Sequence, residues 1–341
     1  MIGGPDSIVG RLVPGAAVAV IRLRSMGDTV LTTPALALLK SARPDLRIFV
    51  VLERPWDRLL ESNPDVAGVI VLEGSARWKT LAALRGLRPA LCLNLHGGST
   101  SAWLTALSGA RWRAGFAHFQ FQPVYNAKIP RAQEILGRPS DAPVHTAEHL
   151  AAAMFCLGVE PQEIPAARLF AEAAPARSPY AVLHLGAAYF TKQWAPERFA
   201  ELARWLRREQ GLEPILLAGP GEGRLLAEMK EFRSFDNLSL GEMMALLKGA
   251  ELFVGNDSGP AHVAAAFGVP CVVIFGSSNS RVWHPWRTRY EVVETARDCK
   301  PCPGDRCYAF DRPRCILSVE VEPVRQAVLS LLRARSAVER H

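Results

Sequence analysis

Residues 252–262 read Leu-Phe-Val-Gly-Asn-Asp-Ser-Gly-Pro-Ala-His, and this stretch decides the fold class. Its apolar first half predicts a buried strand that ends shortly before Ser258. Ser258 is a favourable helix N-cap, and the proline two residues later suits a first helical turn, so a helix is predicted to follow directly. Gly259 lets a ligand approach closely, and the free N–H groups and dipole of the helix favour a phosphate. Asp257 and His262 are candidate ligand-binding residues beside this turn.

Short apolar runs alternate with amphipathic segments along the whole chain, which is typical of parallel sheets flanked by helices. A proline-rich linker within residues 161–179 separates two such arrays. We therefore predict an α/β protein of two Rossmann-like domains facing across a cleft, with ligands at the carboxyl ends of the strands. The predicted boundaries are residues 1–160 for the N-terminal domain, 161–320 for the C-terminal domain, and 321–341 for a C-terminal helix and tail.

Local patterns predict where individual elements lie. A helix is predicted over Thr29–Ser41, with Pro34 in its first turns, where proline is tolerated. A second helix is predicted over Gly223–Glu231. The segment Arg111–Val144, which is rich in aromatic and basic residues, is predicted to be irregular.

The positive charge of the chain is concentrated in its first half. The 341 residues carry a net charge of +7, and residues 1–150 hold 17 Lys and Arg against 11 Asp and Glu. This excess indicates an acidic partner, such as a phosphorylated glycan, an anionic lipid surface or a nucleic acid; a solvated surface is the alternative. No apolar run approaches the ~18 residues of a membrane span, and the N-terminus does not resemble a signal peptide. The cytoplasm is therefore the expected compartment.

Two loops after predicted strands contain further polar residues. Residues 184–194 read His-Leu-Gly-Ala-Ala-Tyr-Phe-Thr-Lys-Gln-Trp. This sequence places Gly186, Thr191 and Lys192 in the loop that a bound ligand would contact first. A lysine ammonium there can neutralise a phosphate that gains charge as it leaves. Glu222 ends the sequence Gly-Pro-Gly-Glu after the next strand, which predicts a tight turn or a carboxylate that holds a ribose diol.

Asp28 ends the sequence Arg-Ser-Met-Gly-Asp after the first strand of the N-terminal domain. A carboxylate at a helix start is commonly a cap for the helix that follows. The alternative is a catalytic role, because Gly27 permits a sharp turn that projects the carboxylate into the predicted cleft. These residues on their own favour the cap.

Four motifs taken together resemble the ADP-heptose-dependent heptosyltransferases of glycosyltransferase family 9, which act in lipopolysaccharide core assembly. The motifs are Ser25-Met-Gly-Asp28 with Thr32-Thr-Pro-Ala-Leu36, His184-Leu-Gly-Ala, Lys192-Gln-Trp, and Gly255-Asn-Asp-Ser-Gly-Pro-Ala-His262. The resemblance extends from Val18 to Leu332, and the order and spacing of the motifs make it specific. It implies the two-Rossmann-domain glycosyltransferase fold called GT-B, in which the first domain binds the acceptor and the second binds the ADP-sugar.

The resemblance also implies a role for each matching residue in an inverting transfer of heptose from ADP-heptose. Asp28 matches the family's proposed catalytic base. The matching donor-binding residues are Lys192 and Thr191 for phosphate, Glu222 for ribose, Asp257 for heptose, Ser258 and Gly259 for the diphosphate turn, and Gly186 and His262 beside them. No catalytic metal is required, because the basic loop and the helix dipole can stabilise the departing ADP.

The acceptor that the resemblance implies is the anionic lipopolysaccharide core, Kdo/heptose-lipid A, at the inner-membrane surface. A protein without a transmembrane segment would reach it from the cytoplasm as a peripheral protein. The candidate acceptor-binding residues are Arg22, Arg24, His96, Arg111, Arg113 and Lys128, for which ordinary surface charge is the alternative.

Four cysteines lie close together after the last predicted strand. They are Cys299, Cys302, Cys307 and Cys315. Their spacing could close a tetrahedral thiolate site for a structural zinc or iron ion, in a loop with little apolar sequence of its own. Reduced thiols and disulfides are the alternatives, and a cytoplasmic location disfavours the disulfides.

Other functions are compatible with the sequence. A glycosyltransferase could use another nucleotide sugar or a protein acceptor, and the same fold hosts nucleotide-sugar epimerases and hydrolases. A non-enzymatic alternative is a nucleotide-sensing protein that binds nucleic acid. The basic excess is small and no recognised nucleic-acid motif is present, so we expect no nucleic-acid partner.

Overall fold

The computed structural model describes residues 6–74 and 76–338. The chain divides into two compact units, Met1–Phe170 (unit 1) and Ala171–His341 (unit 2). Each unit contains one six-stranded parallel sheet flanked by helices. The predicted fold class, with two Rossmann-like α/β domains, is confirmed.

The division between the units lies within the proline-rich linker of residues 161–179, ten residues after the end predicted for the N-terminal domain. Residues 161–170 belong to unit 1 because they pack on it. Leu169 is buried, and the backbone N–H of Arg168 donates to the Thr33 hydroxyl at 2.9 Å.

Unit 1 alternates strands and helices. Its strands are β1 (Ala17–Ile21), β2 (Arg47–Glu53), β3 (Gly68–Leu72), β4 (Leu91–Asn94), β5 (Trp112–Phe116) and β6 (Ala127–Ile129). Its helices are α1 (Met26–Ala42), α2 (Arg77–Gly86), α3 (Ser99–Leu107), α4 (Ala132–Ile135) and α5 (Thr146–Leu157). The strand order is β3-β2-β1-β4-β5-β6, and all neighbouring strands are parallel.

Unit 2 repeats this architecture. Its strands are β7 (Tyr180–His184), β8 (Glu213–Leu217), β9 (Arg233–Phe235), β10 (Leu252–Asn256), β11 (Cys271–Phe275) and β12 (Tyr290–Glu294). Its helices are α6 (Pro196–Trp205), α7 (Leu240–Lys248), α8 (Gly259–Ala266), α9 (Ser280–Trp283), α10 (Arg314–Leu317) and α11 (Val321–Val338). The strand order β9-β8-β7-β10-β11-β12 is the same as in unit 1.

The strand order reverses once in each sheet, between β1 and β4 in unit 1 and between β7 and β10 in unit 2. In open α/β sheets, ligands bind at this switch point, outside the carboxyl ends of the strands. The loops and helix starts that follow these four strands contain Asp28, His96, Lys192 and Asp257. The topology therefore brings Asp28 and His96 in unit 1, and Lys192 and Asp257 in unit 2, to the edge of the sheet where ligands bind.

The strands at the switch points are fixed by the core. β1, β4, β7 and β10 are buried along their whole length, as expected for parallel strands covered by helices on both faces. In unit 2 the ring of Trp194 packs edge-to-face on Phe199, with centroids 4.8 Å apart, and both are buried. Side chains at the ends of these strands consequently have defined positions.

Helix α1 begins at Met26, earlier than predicted, because Ser25 is its N-cap. Pro34 therefore lies in the helix interior and not in the first turns. Proline has no N–H to donate to the carbonyl of Val30. The Thr33 hydroxyl donates to this carbonyl instead, at 2.8 Å.

Two other local predictions are wrong. Gly223–Glu231 is not a helix, since only a short 3₁₀ turn, Gly223–Leu226, precedes the edge strand β9. Arg111–Val144 is not irregular throughout, because β5, β6 and α4 lie in it. The edge strands β6 and β9 have only three residues each, so their apolar pattern is too short to be distinguished from a loop.

The C-terminal helix α11 is part of unit 2. Val324, Val328 and Leu331 are buried in its core at the spacing of one helix face. Arg325, on the polar side, pairs with Glu201 at 2.8 Å. Over the described ranges, no helix is both long enough and apolar enough to cross a membrane.

Candidate active site

Asp28 lies in the first turn of α1, next to the carboxyl end of β1. Its Oδ2 atom accepts hydrogen bonds from the backbone N–H and the hydroxyl of Ser25, both at 3.1 Å. Its Oδ1 atom is paired with the Arg22 guanidinium. The side chain is 19% exposed. Asp28 therefore caps the helix as the simpler interpretation predicted, and it also presents a fixed carboxylate that a ligand can reach.

Arg22 connects Asp28 to the neighbouring strand. Besides its ion pair with Asp28, its guanidinium donates to the carbonyl of Leu95, in the loop after β4. The side chain is only 13% exposed. We therefore assign Arg22 to holding the carboxylate in place.

The loop after β4 is shaped by Asn94, whose role the sequence did not reveal. Asn94 is fully buried. Its Oδ1 atom accepts from the backbone N–H groups of His96 and Gly97, at 2.9 and 3.0 Å. Its Nδ2 atom donates to the hydroxyls of Tyr125 and Ser101, at 2.9 and 3.1 Å. An Asn that ends a strand and precedes a glycine is the available sequence signal, because its side chain commonly bonds the backbone two residues later.

His96 is placed near Asp28 as an uncharged group. Its pKa is lowered to about 4, mainly by burial and then by the positive charges of Arg22 and Arg24, while Asp28 opposes the shift. At neutral pH the imidazole is therefore neutral. It can donate or accept one hydrogen bond at this site, but it does not attract anions by its charge.

A second histidine, which the sequence did not single out, lies near Arg22. His149 is on α5 and stacks on Phe116 with ring centroids 4.1 Å apart. Burial and the nearby charges of His118 and Arg22 lower its pKa to about 4. Its distance in sequence from β1 explains why only the folded unit reveals this neighbour.

The remaining acceptor-binding candidates do not gather at this point. Arg111 and Arg113 lie at the amino end of β5, the opposite edge of the parallel sheet from Asp28. The Arg113 guanidinium donates to the carbonyls of Val124 and Ala110, at 3.0 and 3.4 Å, so it braces its own loop. Lys128 lies exposed on the edge strand β6. Arg24 is exposed directly after β1 and close to His96.

The start of α8 in unit 2 has no side-chain cap. Ser258 occupies the N-cap position, but its hydroxyl does not bond the helix N–H groups. It lies 3.1 Å from Nδ1 of His184 and donates to the Asn256 carbonyl at 3.2 Å. Ser258 is therefore the N-cap residue, as predicted, but its side chain does not cap the helix. Pro260 has no N–H, and the N–H of Ala261 donates to the Ser258 carbonyl at 3.2 Å, which leaves the N–H groups of Ser258 and Gly259 for an anion. His184 is uncharged at neutral pH, because burial lowers its pKa to about 4.

Lys192 and Asp257 form an ion pair beside this helix start. The Lys192 Nζ atom lies 2.8 Å from Oδ2 of Asp257. The Asp257 side chain is 6% exposed, and that of Lys192 is 21% exposed. Ser278 also donates its hydroxyl to Asp257. The carboxylate therefore holds the Lys192 ammonium at the carboxyl end of β10. The positive charge of this ammonium would attract a phosphate bound at the start of α8.

Asn256 fixes the loop that carries Lys192. Its side chain is fully buried; Oδ1 accepts from the backbone N–H of Trp194 at 3.0 Å, and Nδ2 donates to the Leu185 carbonyl at 2.8 Å. Both ends of the loop between these partners are thereby attached to β10. The sequence indicated Asn256 only as a strand end, because its partners are distant in the chain.

Glu222 lies directly over Gly186. A Cβ atom at Gly186 would come within 1.8 Å of its Oε2 atom, so only glycine allows this arrangement. The Glu222 carboxylate accepts from the backbone N–H of Gly219 at 2.8 Å and from Nε2 of Gln193 at 3.3 Å. Glu222 can therefore stabilise the turn with its carboxylate and also contact a ligand.

The other two donor-side candidates are buried. Thr191 is 1% exposed; its hydroxyl donates to the carbonyl of Gly304 and lies 3.1 Å from the Ser277 hydroxyl. His262 is 4% exposed on α8, with its ring centroid 6.3 Å from that of Trp283. The Thr191 hydroxyl is thus engaged with the cysteine-containing loop, so a direct phosphate contact from it requires this bond to change.

The cysteine-containing loop packs against the donor-side loop. Besides the Thr191 contact, the backbone N–H of Cys302 donates to the Ser277 carbonyl at 3.0 Å. All four cysteines are free thiols. Burial raises the pKa of the Cys315 thiol. In the part of the chain that the structure describes, no three His, Cys, Asp or Glu side chains are arranged as a metal site.

A family model described as glycosyltransferase family 9 (heptosyltransferase) matches residues 77–309, which is more than half of the chain. The chain belongs to glycosyltransferase family 9. This glycosyltransferase therefore has the catalytic class that the four motifs implied. The matched range contains every donor-side residue described above, whereas Asp28 lies before it.

Individual relatives of this family 9 glycosyltransferase agree. Lipopolysaccharide heptosyltransferase 3 of Escherichia coli K12 is 25% identical over 297 residues, which cover 77% of this chain and 83% of the relative. The solved structure of E. coli ADP-heptose lps heptosyltransferase II is 20% identical, with a TM-score of 0.77, and covers 94% of this chain and 99% of its own. The iron-containing dodecameric glycosyltransferase TibC from enterotoxigenic E. coli is 18% identical, with a TM-score of 0.62 and coverages of 96% and 81%. The chain has the GT-B fold of these structures.

Proposed function

We propose that this family 9 glycosyltransferase transfers heptose from ADP-heptose to an anionic lipopolysaccharide-core acceptor, with inversion at the anomeric carbon. One observation carries the proposal: the uncapped start of α8 lies beside the Lys192–Asp257 ion pair at the switch point of unit 2. Free helix N–H groups and an ammonium are what a diphosphate needs. The names of the relatives supply the sugar and the acceptor class.

The donor is proposed to bind at unit 2. Its diphosphate lies at the N–H groups of Ser258 and Gly259, next to Lys192, and Glu222 contacts the ribose. Asp257, which borders the same turn, contacts the heptose hydroxyls. As the glycosidic bond breaks, negative charge grows on ADP and is stabilised by Lys192 and the α8 dipole, so the proposal needs no catalytic metal.

Asp28 is proposed to be the general base. It accepts the proton of an acceptor hydroxyl, whose oxygen attacks the anomeric carbon as ADP leaves from the opposite side. Arg22 and Ser25 hold the carboxylate, so its lone pair is aimed before the acceptor arrives. Arg24 is the exposed cation beside this point and is proposed to contact an anionic group of the acceptor. We propose that the protein acts in the cytoplasm, peripheral to the inner membrane.

The proposed reaction is tested by supplying the purified chain with ADP-heptose and a Kdo-lipid A acceptor. We expect the acceptor mass to increase by one heptose, and ADP to raise the melting temperature more than UDP or GDP does. Release of free heptose without transfer would indicate a hydrolase, and transfer only from another nucleotide sugar would replace the proposed donor.

We also propose a structural zinc or iron ion in the loop of Cys299, Cys302, Cys307 and Cys315. Support comes from the spacing of the thiols in the sequence and from the iron in the structural neighbour TibC. The loop has to draw its thiols closer together than in this structure for an ion to bind.

Purified protein is expected to contain about one zinc or iron ion per chain, and its removal is expected to lower the melting temperature. Elemental analysis of protein prepared without chelators measures this. Cys302→Ser should lose the ion, whereas Cys156→Ser, at a half-buried thiol on α5, should keep it. Four reactive thiols in a metal-free native protein would refute the metal site.

A further inference from the structure

The outer surface of helix α2 in unit 1 is basic and carries an exposed tryptophan. Residues 74–133 contain eight Lys and Arg and no Asp or Glu. Four of these basic residues lie exposed on α2 or directly after it: Arg77, Lys79, Arg85 and Arg88. Trp78, on the same helix, is 69% exposed. These five residues, together with Trp103 on α3, are called the α2 patch.

Trp78 is held outside the core by its packing. Its ring contacts that of Trp103 edge-on, with centroids 5.0 Å apart and an interplanar angle of 84°. Helix α2 is anchored to the unit by the buried residues Thr80, Leu81 and Leu84, so it does not need Trp78 for its own attachment. An indole left largely in water is unfavourable, which indicates a partner that covers it.

The basic side chains of the α2 patch are little used inside the fold. Arg85 donates to the carbonyl of Leu107 at the end of α3, at 3.3 Å. No described acidic side chain pairs with Arg77, Lys79 or Arg88. The acidic residue that precedes the helix, Glu73, is paired with Arg54 at 3.2 Å. The patch therefore keeps a positive field that is available to an anionic partner.

The α2 patch adjoins the edge of the sheet at which Asp28 lies. Helix α2 begins after the carboxyl end of β3, and α3 begins just after the loop that contains His96. In a parallel sheet all carboxyl ends share one edge, so the first turns of both helices lie on the side of unit 1 that carries Asp28. A surface that covered Trp78 would border this edge.

We propose that the α2 patch docks unit 1 on an anionic lipid bilayer, so that a lipid-linked acceptor is met at the edge that carries Asp28. The identity of that acceptor rests on the proposed function; the docking itself does not. Lys and Arg near a bilayer are attracted by anionic headgroups, and tryptophan is favoured at the level of those headgroups. A nucleic acid fits less well, because proteins that stack bases place aromatic rings in a groove, whereas Trp78 is on the outer face of a helix.

The test is co-sedimentation of the full chain with vesicles, without any acceptor or donor. Vesicles of equimolar phosphatidylglycerol and phosphatidylcholine are expected to bind the protein, and vesicles of phosphatidylcholine alone are expected to bind much less. Added salt should weaken the binding to anionic vesicles because it screens exposed charges.

Variants separate the two contributions of the patch. The double variant Lys79→Glu with Arg88→Glu should weaken partitioning onto anionic vesicles by a factor on the order of 25 or more. The reason is that each basic residue near the membrane surface contributes about a factor of five. Trp78→Ala should weaken partitioning by about tenfold through lost burial. The matched control is Arg208→Glu with Lys230→Glu, two exposed residues of unit 2, which changes the net charge equally and should retain binding.

Several outcomes would overturn the docking proposal. These are equal binding to both kinds of vesicle, equal losses in the patch and control variants, or binding to duplex DNA that is tighter than binding to vesicles and insensitive to Trp78→Ala. Failure of the proposed function gives a different result. A patch variant should still transfer heptose to a delipidated, soluble acceptor, and absence of transfer in the wild-type protein would refute the function without touching the docking result.

Discussion

Asp28→Asn is expected to abolish glycosyl transfer while leaving the affinity for ADP nearly unchanged. Asparagine keeps an oxygen that can accept from the Ser25 N–H, so the start of α1 should still form. It cannot take a proton from an acceptor hydroxyl. Loss of a positioned general base typically lowers the rate by ~10²–10⁴. ADP is proposed to bind to unit 2, so its affinity should not depend on this residue.

The measurement is the turnover number with saturating donor and acceptor, together with calorimetric titration of ADP. Asp45→Asn is the matched control, because Asp45 is also paired with an arginine of unit 1, Arg43, at 2.8 Å. It precedes β2 and therefore lies at the amino edge of the sheet, away from Asp28. If Asp28→Asn turns over at the wild-type rate, Asp28 is only the helix cap that its two bonds to Ser25 describe.

Lys192→Ala is expected to weaken ADP binding and to slow transfer at saturating donor as well. A hydrogen bond to a charged group contributes roughly 1.5–3 kcal/mol, so ADP affinity should fall by about 10- to 150-fold. Turnover should also fall, because the charge that Lys192 meets is larger in the transition state than in the bound donor. Loss of the ammonium also leaves Asp257, which is 6% exposed, with only the Ser278 hydroxyl, so the melting temperature without ligand should fall.

The stability effect has to be separated from the binding effect. The double variant Lys192→Ala with Asp257→Asn removes both charges and should recover part of the lost stability without recovering ADP affinity. Lys230→Ala, at an exposed lysine of unit 2, should change neither. Unchanged ADP affinity in folded Lys192→Ala would mean that the diphosphate does not lie at α8.

Much of the fold could be predicted because it depends on local patterns. Each buried strand is a short apolar run, and polar and glycine residues follow it where a ligand can approach. That order alone is enough to place Asp28, Lys192, Glu222 and Asp257 after the ends of strands. Parallel strands then bring their carboxyl ends to one edge, so these residues could be predicted to lie at ligand-binding positions.

Contacts between distant residues could not be predicted in the same way. The Arg22–Asp28–Leu95 connection joins β1 to the loop after β4, and nothing in either segment specifies the other. Arg113 is as suitable for an anion as Arg24 is in the sequence, yet it lies at the amino end of β5 with its guanidinium on backbone carbonyls. Whether such an arginine lies at the ligand-binding edge depends on which end of its strand it occupies. That end is known only when the bounds of the strand are known.

The sequence by itself determined the alternation of strands and helices, the two Rossmann-like units and the family, because these depend on periodicity and on short motifs along the chain. Only the tertiary structure decided how the site residues are held. The Ser258 hydroxyl turns to His184 and leaves α8 uncapped, and the cysteine-containing loop closes on Thr191 through Gly304. These arrangements depend on which polar groups meet when the sheet assembles, and a buried donor or acceptor must bond to whichever partner the packing brings within reach.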